Sequence, residues 1–245
     1  MLSKIEHHVL DPQRLGEAAG AYLDPDTVLL FLLQGPWPLE GDLRDYLGPQ
    51  DLGDERAAGT TPVAGRWRKA RAFTRWILGA LRHQDPRALI FRRGPRGKPY
   101  LAGETLGFNL SHSKEGLVLA VAQGTTLGVD LEYLRPRSNL DGLIARCFSE
   151  EERRDFEGLI GDERRHRFHR GWTLKEAYVK AVAQGLSLGL ERVVLNRAQQ
   201  GFLRLPVGDP GQFQAVHWGL GPAHLGLVYR GPQRRVRLWI DSKGQ

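Results

Sequence analysis

The chain has 245 residues, 41% of them hydrophobic and 26% charged, a net charge of +7 and a pI near 9.8. That length holds one large domain or two small ones with a buried core, and the composition excludes wholesale disorder. The positive excess points to an anionic partner (nucleic acid, acidic protein or polyphosphate), while the single cysteine, Cys147, excludes an intramolecular disulfide or a cysteine-cluster zinc site and fits a reducing cytoplasm.

Met1 to Leu10 lacks a continuous apolar core, so no secretory signal is expected, and no apolar run approaches membrane-spanning length. Thr27 to Gln34 is nearly all apolar and reads as a buried strand, stopped by Gly35-Pro36-Trp37-Pro38. Leu39 to Leu47 reads as a short helix. Gly48 to Gly65, rich in Gly, Pro and Thr, reads as a loop with at most one further helical turn. From Arg66 to Arg82 the spacing becomes helical, with Trp67, Ala70, Thr74, Ile77, Leu78 and Leu81 on one stripe and Arg68, Arg71 and Arg75 on its neighbour. Between Pro62 and Lys98 eleven Lys or Arg face the single acid Asp85. Such a run serves either an anion site or a solvated helix face.

Asp85-Pro86 ends that helix, and Ala88 to Phe91 is expected to be a strand leading into the basic turn Arg92 to Pro99, where Gly97 and Pro99 flank Lys98. Phe108 to Ser113 alternates and ends in Ser111, His112 and Ser113, side chains able to donate to phosphate oxygens or to satisfy local backbone groups. Glu115 to Gln123 reads as a buried strand, turned by Gly124-Thr125-Thr126 into Leu127-Gly128-Val129-Asp130-Leu131-Glu132. In that stretch Leu127, Val129 and Leu131 point to a core, and Gly128, Asp130 and Glu132 share the other face, which the glycine is expected to leave open. The two carboxylates stand about 7 Å apart along the backbone. With no His or Cys beside them, they suit Mg²⁺ on a phosphorylated substrate better than Zn²⁺; the same alternation also describes the wet face of an edge strand.

Leu140 to Phe148 is expected to be helical, and Ser149 followed by Glu150, Glu151 and Glu152 reads as an N-cap with first-turn acids. Gly171 to Ala181 is strongly helical, stacking Trp172, Glu176 and Lys180 at four-residue intervals, a pattern that also fits an ordinary i,i+4 ion pair. From Val193 to Ile240 short apolar runs broken by Gly and Pro read as an antiparallel sheet. The expected fold is α+β, with two similar lobes in pseudo-two-fold relation, residues 1–125 and 126–245. Each is an antiparallel sheet packed with a long helix, with a shared cleft between them.

Taken in order, Gly97-Lys98-Pro99, Phe108 to Ser113, Gly128 to Glu132, Phe148-Ser149 with its acids, and Trp172 to Ala181 resemble the Sfp-type 4′-phosphopantetheinyl transferases over roughly half the chain. One departure follows Lys180, where Ala183-Gln184-Gly185-Leu186 replaces the family's usual Gly-x-Gly-Leu. The resemblance implies transfer of the phosphopantetheine arm of coenzyme A onto a serine of an apo acyl or peptidyl carrier protein, releasing adenosine 3′,5′-bisphosphate. It implies that Asp130, Glu132 and Glu176 hold Mg²⁺, that Glu176 takes the serine proton, and that Lys180 stabilises charge on the phosphates. Ser111 and His112 are then phosphate donors, and Lys98 and Arg71 anchor the nucleotide end. Trp172 is expected to pack. A monomer in the cytoplasm, away from any membrane, completes the expectation. The rival from another class, a basic nucleic-acid-binding module, gives Asp130, Glu132 and Glu176 nothing to do.

Overall fold

In the computed structural model, which describes residues 5–10, 15, 20–37, 41–58, 61–114, 116–135 and 138–241, the two longest apolar runs of the N-terminal half become neighbouring strands at the centre of a sheet. In chain order its first elements are β1 (Ile5–Val9), β2 (Thr27–Leu33), α1 (Pro49–Ala58), α2 (Pro62–Arg82), β3 (Phe91–Arg93), β4 (Pro99–Leu101), β5 (Leu106–Ser113) and β6 (Gly116–Gln123). All of β2 and all but the last residue of β6 are buried, as a strand covered on both faces requires. Leu29, Phe31, Leu117, Leu119 and Val121 meet Phe73, Ile77 and Leu78 of α2 on one side. The alternate residues, Val28, Leu30, Leu32, Val118 and Ala120, meet a second sheet on the other.

That second sheet, in the order β10-β11-β7, comprises β7 (Leu127–Tyr133), β10 (Phe213–Leu220) and β11 (Ala223–Arg230), all antiparallel. Leu127, Val129 and Leu131 enter the inter-sheet core with Leu225 and Leu227. Three helices, α3 (Leu140–Cys147), α4 (Glu150–Arg154) and α5 (Gly161–Ala181), precede the short β8 (Val194–Leu195) and β9 (Phe202–Arg204). Helix α5 covers the outer face of the second sheet, with Leu174, Ala177, Tyr178 and Ala181 in a third cluster. The chain is thus a mixed α+β fold of four layers: helix, sheet, sheet, helix. Among the described residues no helix is long and apolar enough to cross a membrane.

Several expectations are corrected. Gly48 to Gly65 is not a loop, because α1 occupies Pro49–Ala58 and α2 already begins at Pro62 behind the Thr61 N-cap. Proline at a helix start is already in helical φ, and Asp51 in the first turn of α1 is held by Arg75 and Arg71 of α2, a tertiary tie that composition does not reveal. Pro86–Ala88 is a 3₁₀ turn capped by Asp85, which delays the strand to Phe91. Leu43–Tyr46 is likewise a 3₁₀ turn; residues 39 and 40 of the expected short helix, and residue 115 of the expected strand, lie outside the described residues. The last strand, β12 (Arg235–Ile240), leaves the second half of the chain and lies parallel between β1 and β2, so the first sheet has the order β1-β12-β2-β6-β5. Its alternation is legible from sequence, but alternation does not say which sheet a strand joins.

Helix α5 is fixed from behind by a buried ion pair. Ser149 caps α4 in a reciprocal capping box, and the box's acid, Glu152, receives Ser149 N–H at 2.8 Å and Lys175 Nζ at 2.7 Å on one oxygen and Leu195 N–H at 3.0 Å on the other. Lys175 also donates to Leu190 C=O. Burial pushes its ammonium pKa down, and the Glu152 carboxylate pulls it back up. Removing one partner strands the other in an apolar shell. Lys175→Met should therefore cost about 3–5 kcal/mol in denaturant unfolding, and Lys175→Met with Glu152→Met clearly less than either single variant.

The far end of α5 closes in a Schellman pattern, with Ala183 N–H on Lys180 C=O and Gln184 N–H on Val179 C=O. Ala183 takes the left-handed position at φ 54°, which glycine occupies without strain. Ala183→Gly should stabilise the fold by about 1 kcal/mol, read from the same unfolding curves.

Candidate active site

Strand β7 is the outer strand of its sheet, and among the described residues its far edge has no strand partner. Unpaired backbone groups at such an edge must find other partners or lose water uncompensated. Here side chains supply them. Leu127 C=O accepts from Lys98 Nζ at 2.7 Å, and Val129 N–H donates to Asn109 Oδ1 at 2.9 Å. Val129 C=O accepts from Lys180 Nζ at 3.2 Å, and Leu131 N–H donates to Ser111 Oγ at 3.3 Å. The polar side chains of β5 and α5 are thereby drawn to the strand that carries the acids.

The glycine of Leu-Gly-Val-Asp-Leu-Glu serves this approach, and the expected open space on its face is filled. A Cβ on Gly128 would stand 2.0 Å from Ala177 C=O, and one on Gly226, paired with Asp130 across the sheet, 2.7 Å from the Thr173 carbonyl. Helix α5 lies directly on these two residues, which brings Glu176 and Lys180 beside Asp130.

Asp130 is buried, and its Oδ1 accepts from Lys180 Nζ at 2.6 Å and from the Ser111 hydroxyl at 2.9 Å. Ser111, also buried, in turn accepts from Lys180 Nζ at 2.9 Å, so the hydroxyl is committed to the Asp130–Lys180 pair. Glu132 accepts from Ser113 Oγ at 3.4 Å. The carboxyl of half-buried Glu176 is pushed up to about 7, first by burial and then by the charge of Asp130, against the pull of Lys180 and with a smaller push from Glu132. Glu176 and Lys180 line a cleft of about 410 Å³ together with Lys98, Asn109 and Leu110.

Next to it, sharing Pro99, Asn109 and Leu110, is a hollow of about 560 Å³. Exposed His112 opens onto this hollow beside Arg66, Trp67, Arg71 and Arg93. Arg71 is also tied to Asp51 at 3.6 Å. The sequence reading singled out Arg71 and not Arg66 or Arg93; the density of cations from Pro62 to Lys98 was the available signal, and only the fold sorts them. Trp172 stays partly buried against the third cluster.

Of the expected residues, Ser111, Asp130, Glu176 and Lys180 are brought together, with Glu132 on the same strand face. Arg71 and His112 line the neighbouring hollow. Lys98 stands at the wall of the cleft with its ammonium on main-chain carbonyls. Among the described residues no three His, Cys, Asp or Glu side chains are gathered closely enough to hold a metal as they stand. The chemistry of the donors nevertheless fits a hard divalent cation: they are carboxylate oxygens, and Asp130 Oδ2 is buried without a hydrogen-bond partner.

Such a site, acids on an edge strand facing an acid and a lysine one helical turn apart, beside an arginine-lined hollow, offers ligands for a hard cation and donors for phosphate oxygens. Comparison with known proteins narrows the class. Residues 126–228 match the family described as the 4'-phosphopantetheinyl transferase superfamily. The chain is 39% identical over 126 residues to the 4'-phosphopantetheinyl transferase HetI of Nostoc sp. (strain PCC 7120), covering 50% of this chain and 53% of that protein. It is 31% identical over 126 residues to a 4'-phosphopantetheinyl transferase of Bacillus subtilis, covering 51% and 55% respectively. A solved apo-ACPS chain of Chronobacterium ammoiniagenes overlays at TM-score 0.29 with 17% identity, covering 44% of this chain and 98% of that one, a likeness too slight to bear on the fold. Over this stretch the chain is similar to the 4′-phosphopantetheinyl transferase superfamily. It spans about half the length of the curated relatives it matches.

The raised Glu176 carboxyl has a measurable sign. Its protonated form is favoured in the folded state, so its contribution is complete below the ordinary value of 4.5 and is lost as pH climbs through about 7. Across that window wild type should lose unfolding midpoint relative to Glu176→Gln, and the gap should stay constant above it.

Proposed function

We propose that this chain transfers the 4′-phosphopantetheine group of coenzyme A to a serine of an apo carrier protein and releases adenosine 3′,5′-bisphosphate. The observation that carries the reading is the Asp130–Ser111–Lys180 cluster set against Glu176 at the junction of the two sheets. The superfamily match and the names of the relatives support it, and they leave the nucleic-acid reading without support.

In this reading Glu176, ionised, accepts the proton of the carrier serine, directly or through one water; a carboxyl whose pKa lies near neutrality suits proton transfer at physiological pH. The serine oxygen forms its bond to the β-phosphorus of coenzyme A, the bridging P–O bond breaks, and its electron pair leaves with the bisphosphate. Lys180 offsets the charge that develops on the phosphate oxygens, held in place by Ser111 and Asp130. Asp130, Glu132 and Glu176 would hold Mg²⁺, which when bound neutralises the diphosphate and improves its leaving group. Arg66, Arg71, Arg93 and His112 receive the nucleotide end, including the 3′-phosphate.

The net charge of +7 favours encounter with an acidic carrier. Residues 1–125 act as the nucleotide-anchoring lobe and 126–245 as the lobe of acids and catalytic helix, with β12 returning to the first sheet. Their pseudo-two-fold likeness has in its favour that each sheet carries one long helix on its outer face. Both walls of the cleft come from one chain, in keeping with a monomer, and the buried free thiol of Cys147 is in keeping with the cytoplasm.

Incubation of an apo carrier with the protein, coenzyme A and Mg²⁺ should add one phosphopantetheine mass to the carrier. Asp130→Ala should abolish that gain while keeping its unfolding transition. Near-normal turnover by the folded variant would remove the assignment.

A further inference from the structure

We propose that Lys98 is a positioning residue, whose ammonium clamps the end of the catalytic helix to the strand of acids and does not anchor the nucleotide phosphates. The inference rests on the transferase reading above and deepens it. An ammonium has three donors, and Lys98 Nζ has three carbonyl acceptors: Leu127 at 2.7 Å, Lys180 at 2.8 Å and Ala181 at 3.3 Å. Lys180 and Ala181 belong to the last turn of α5, where the helix dipole is negative and carbonyls have acceptor capacity to spare, the Lys180 carbonyl taking Lys98 in addition to Ala183 N–H. Leu127 opens β7 on its unpartnered edge. One side chain therefore joins the helix of Glu176 and Lys180 to the strand of Asp130 and Glu132.

The turn before it is built to deliver that side chain. Gly94 N–H bonds Lys98 C=O, Gly97 N–H bonds Gly94 C=O, and Gly97 sits at φ 83°, open to glycine and strained for other residues. From the same turn Arg96 Nη1 donates to Gln184 C=O at 2.9 Å, just past the helix end. The β3–β4 hairpin is thus strapped across the C-terminus of α5 by two cations, one on two carbonyls of its last turn and one on the Gln184 carbonyl just beyond it. The cations of the nucleotide hollow are Arg66, Arg71 and Arg93. Burial is the cause that lowers the Lys98 ammonium, to about 8, in keeping with a group enclosed by carbonyls.

The test separates binding from positioning. Lys98→Met should lower kcat for transfer by about 10- to 100-fold, because small misplacements of reacting groups cost that much. KM for coenzyme A, and the affinity for adenosine 3′,5′-bisphosphate by calorimetry, should stay within about twofold. Amide exchange at Val182 to Gln184 should quicken in the same variant. Weakened bisphosphate binding or a raised KM with kcat intact overturns the proposal, as does an unchanged kcat. If Lys98→Met does not fold, Lys98→Arg replaces it: the charge is kept and the three-carbonyl fit is lost, so kcat should fall with KM held, and the contrary split overturns the clamp. Should wild type transfer nothing, the transferase reading fails by itself; faster exchange in the variant then still supports the clamp and unchanged exchange sinks it.

Discussion

The free edge of β7 governs the arrangement of the site. A strand edge inside a protein exposes N–H and C=O groups that neither water nor a neighbouring strand satisfies, and each such group is costly to leave bare. This edge faces the side chains of β5, the β4 turn and α5. Lys98, Asn109, Lys180 and Ser111 meet Leu127, Val129 and Leu131 alternately along it. Two of the groups that close the edge, Ser111 and Lys180, are therefore the same groups that hold Asp130. Two sheets joined by a continuous ladder would have had no room for them.

Close approach has an electrostatic consequence. Gly128 and Gly226 let the backbone of α5 rest on the sheet, so Glu176 enters a partly dry seam that already contains the Asp130 carboxylate. Lys180 sits one turn away and is shared among Asp130, Ser111 and the Val129 carbonyl. Farther along the same seam the space is filled by imidazoles: His224 bonds His166 at 3.0 Å through one ring nitrogen and His217 at 2.9 Å through the other. Burial pushes His217 down to about 3 and His224 to about 4, so these two imidazoles stay neutral near pH 7.

Much of this was legible in the sequence because it follows from periodicity. The apolar runs of β2 and β6, the alternation of β7, and the helical stripe of α2 each state their buried face directly. The acids and Lys180 were legible from spacing and from the order of the motifs. What sequence could not give was partnership. Lys98 reads as one cation in a basic run until its ammonium is found on carbonyls that lie 29 and 82 residues away. Glu152 reads only as a first-turn acid behind the Ser149 cap, yet it forms a buried pair with Lys175. Helix α1 was hidden because Gly and Pro suggest loops, and Asp51, which pins it to Arg75, acts through tertiary contact. The partner of β12 was hidden for the same reason.

Helix α5 is held on two sides by lysines of opposite duty. Five residues turn an α-helix by about 140° beyond a full circle, so Lys175 and Lys180 project from different faces. Lys175 faces inward to Glu152 behind the helix, and Lys180 faces Asp130 in front. Each lysine finds a carboxylate within 2.7 Å or less. Glu176 lies between them in sequence and has Lys180 nearby without owning it, which is why burial and the Asp130 charge win and its carboxyl rises to about 7. A helix that could slide or rotate would relieve that unfavourable placement by turning the acid to water. The buried pair on one face and the edge-closing bonds on the other prevent the relief, so the same contacts that stabilise the fold keep an acid poised near neutrality.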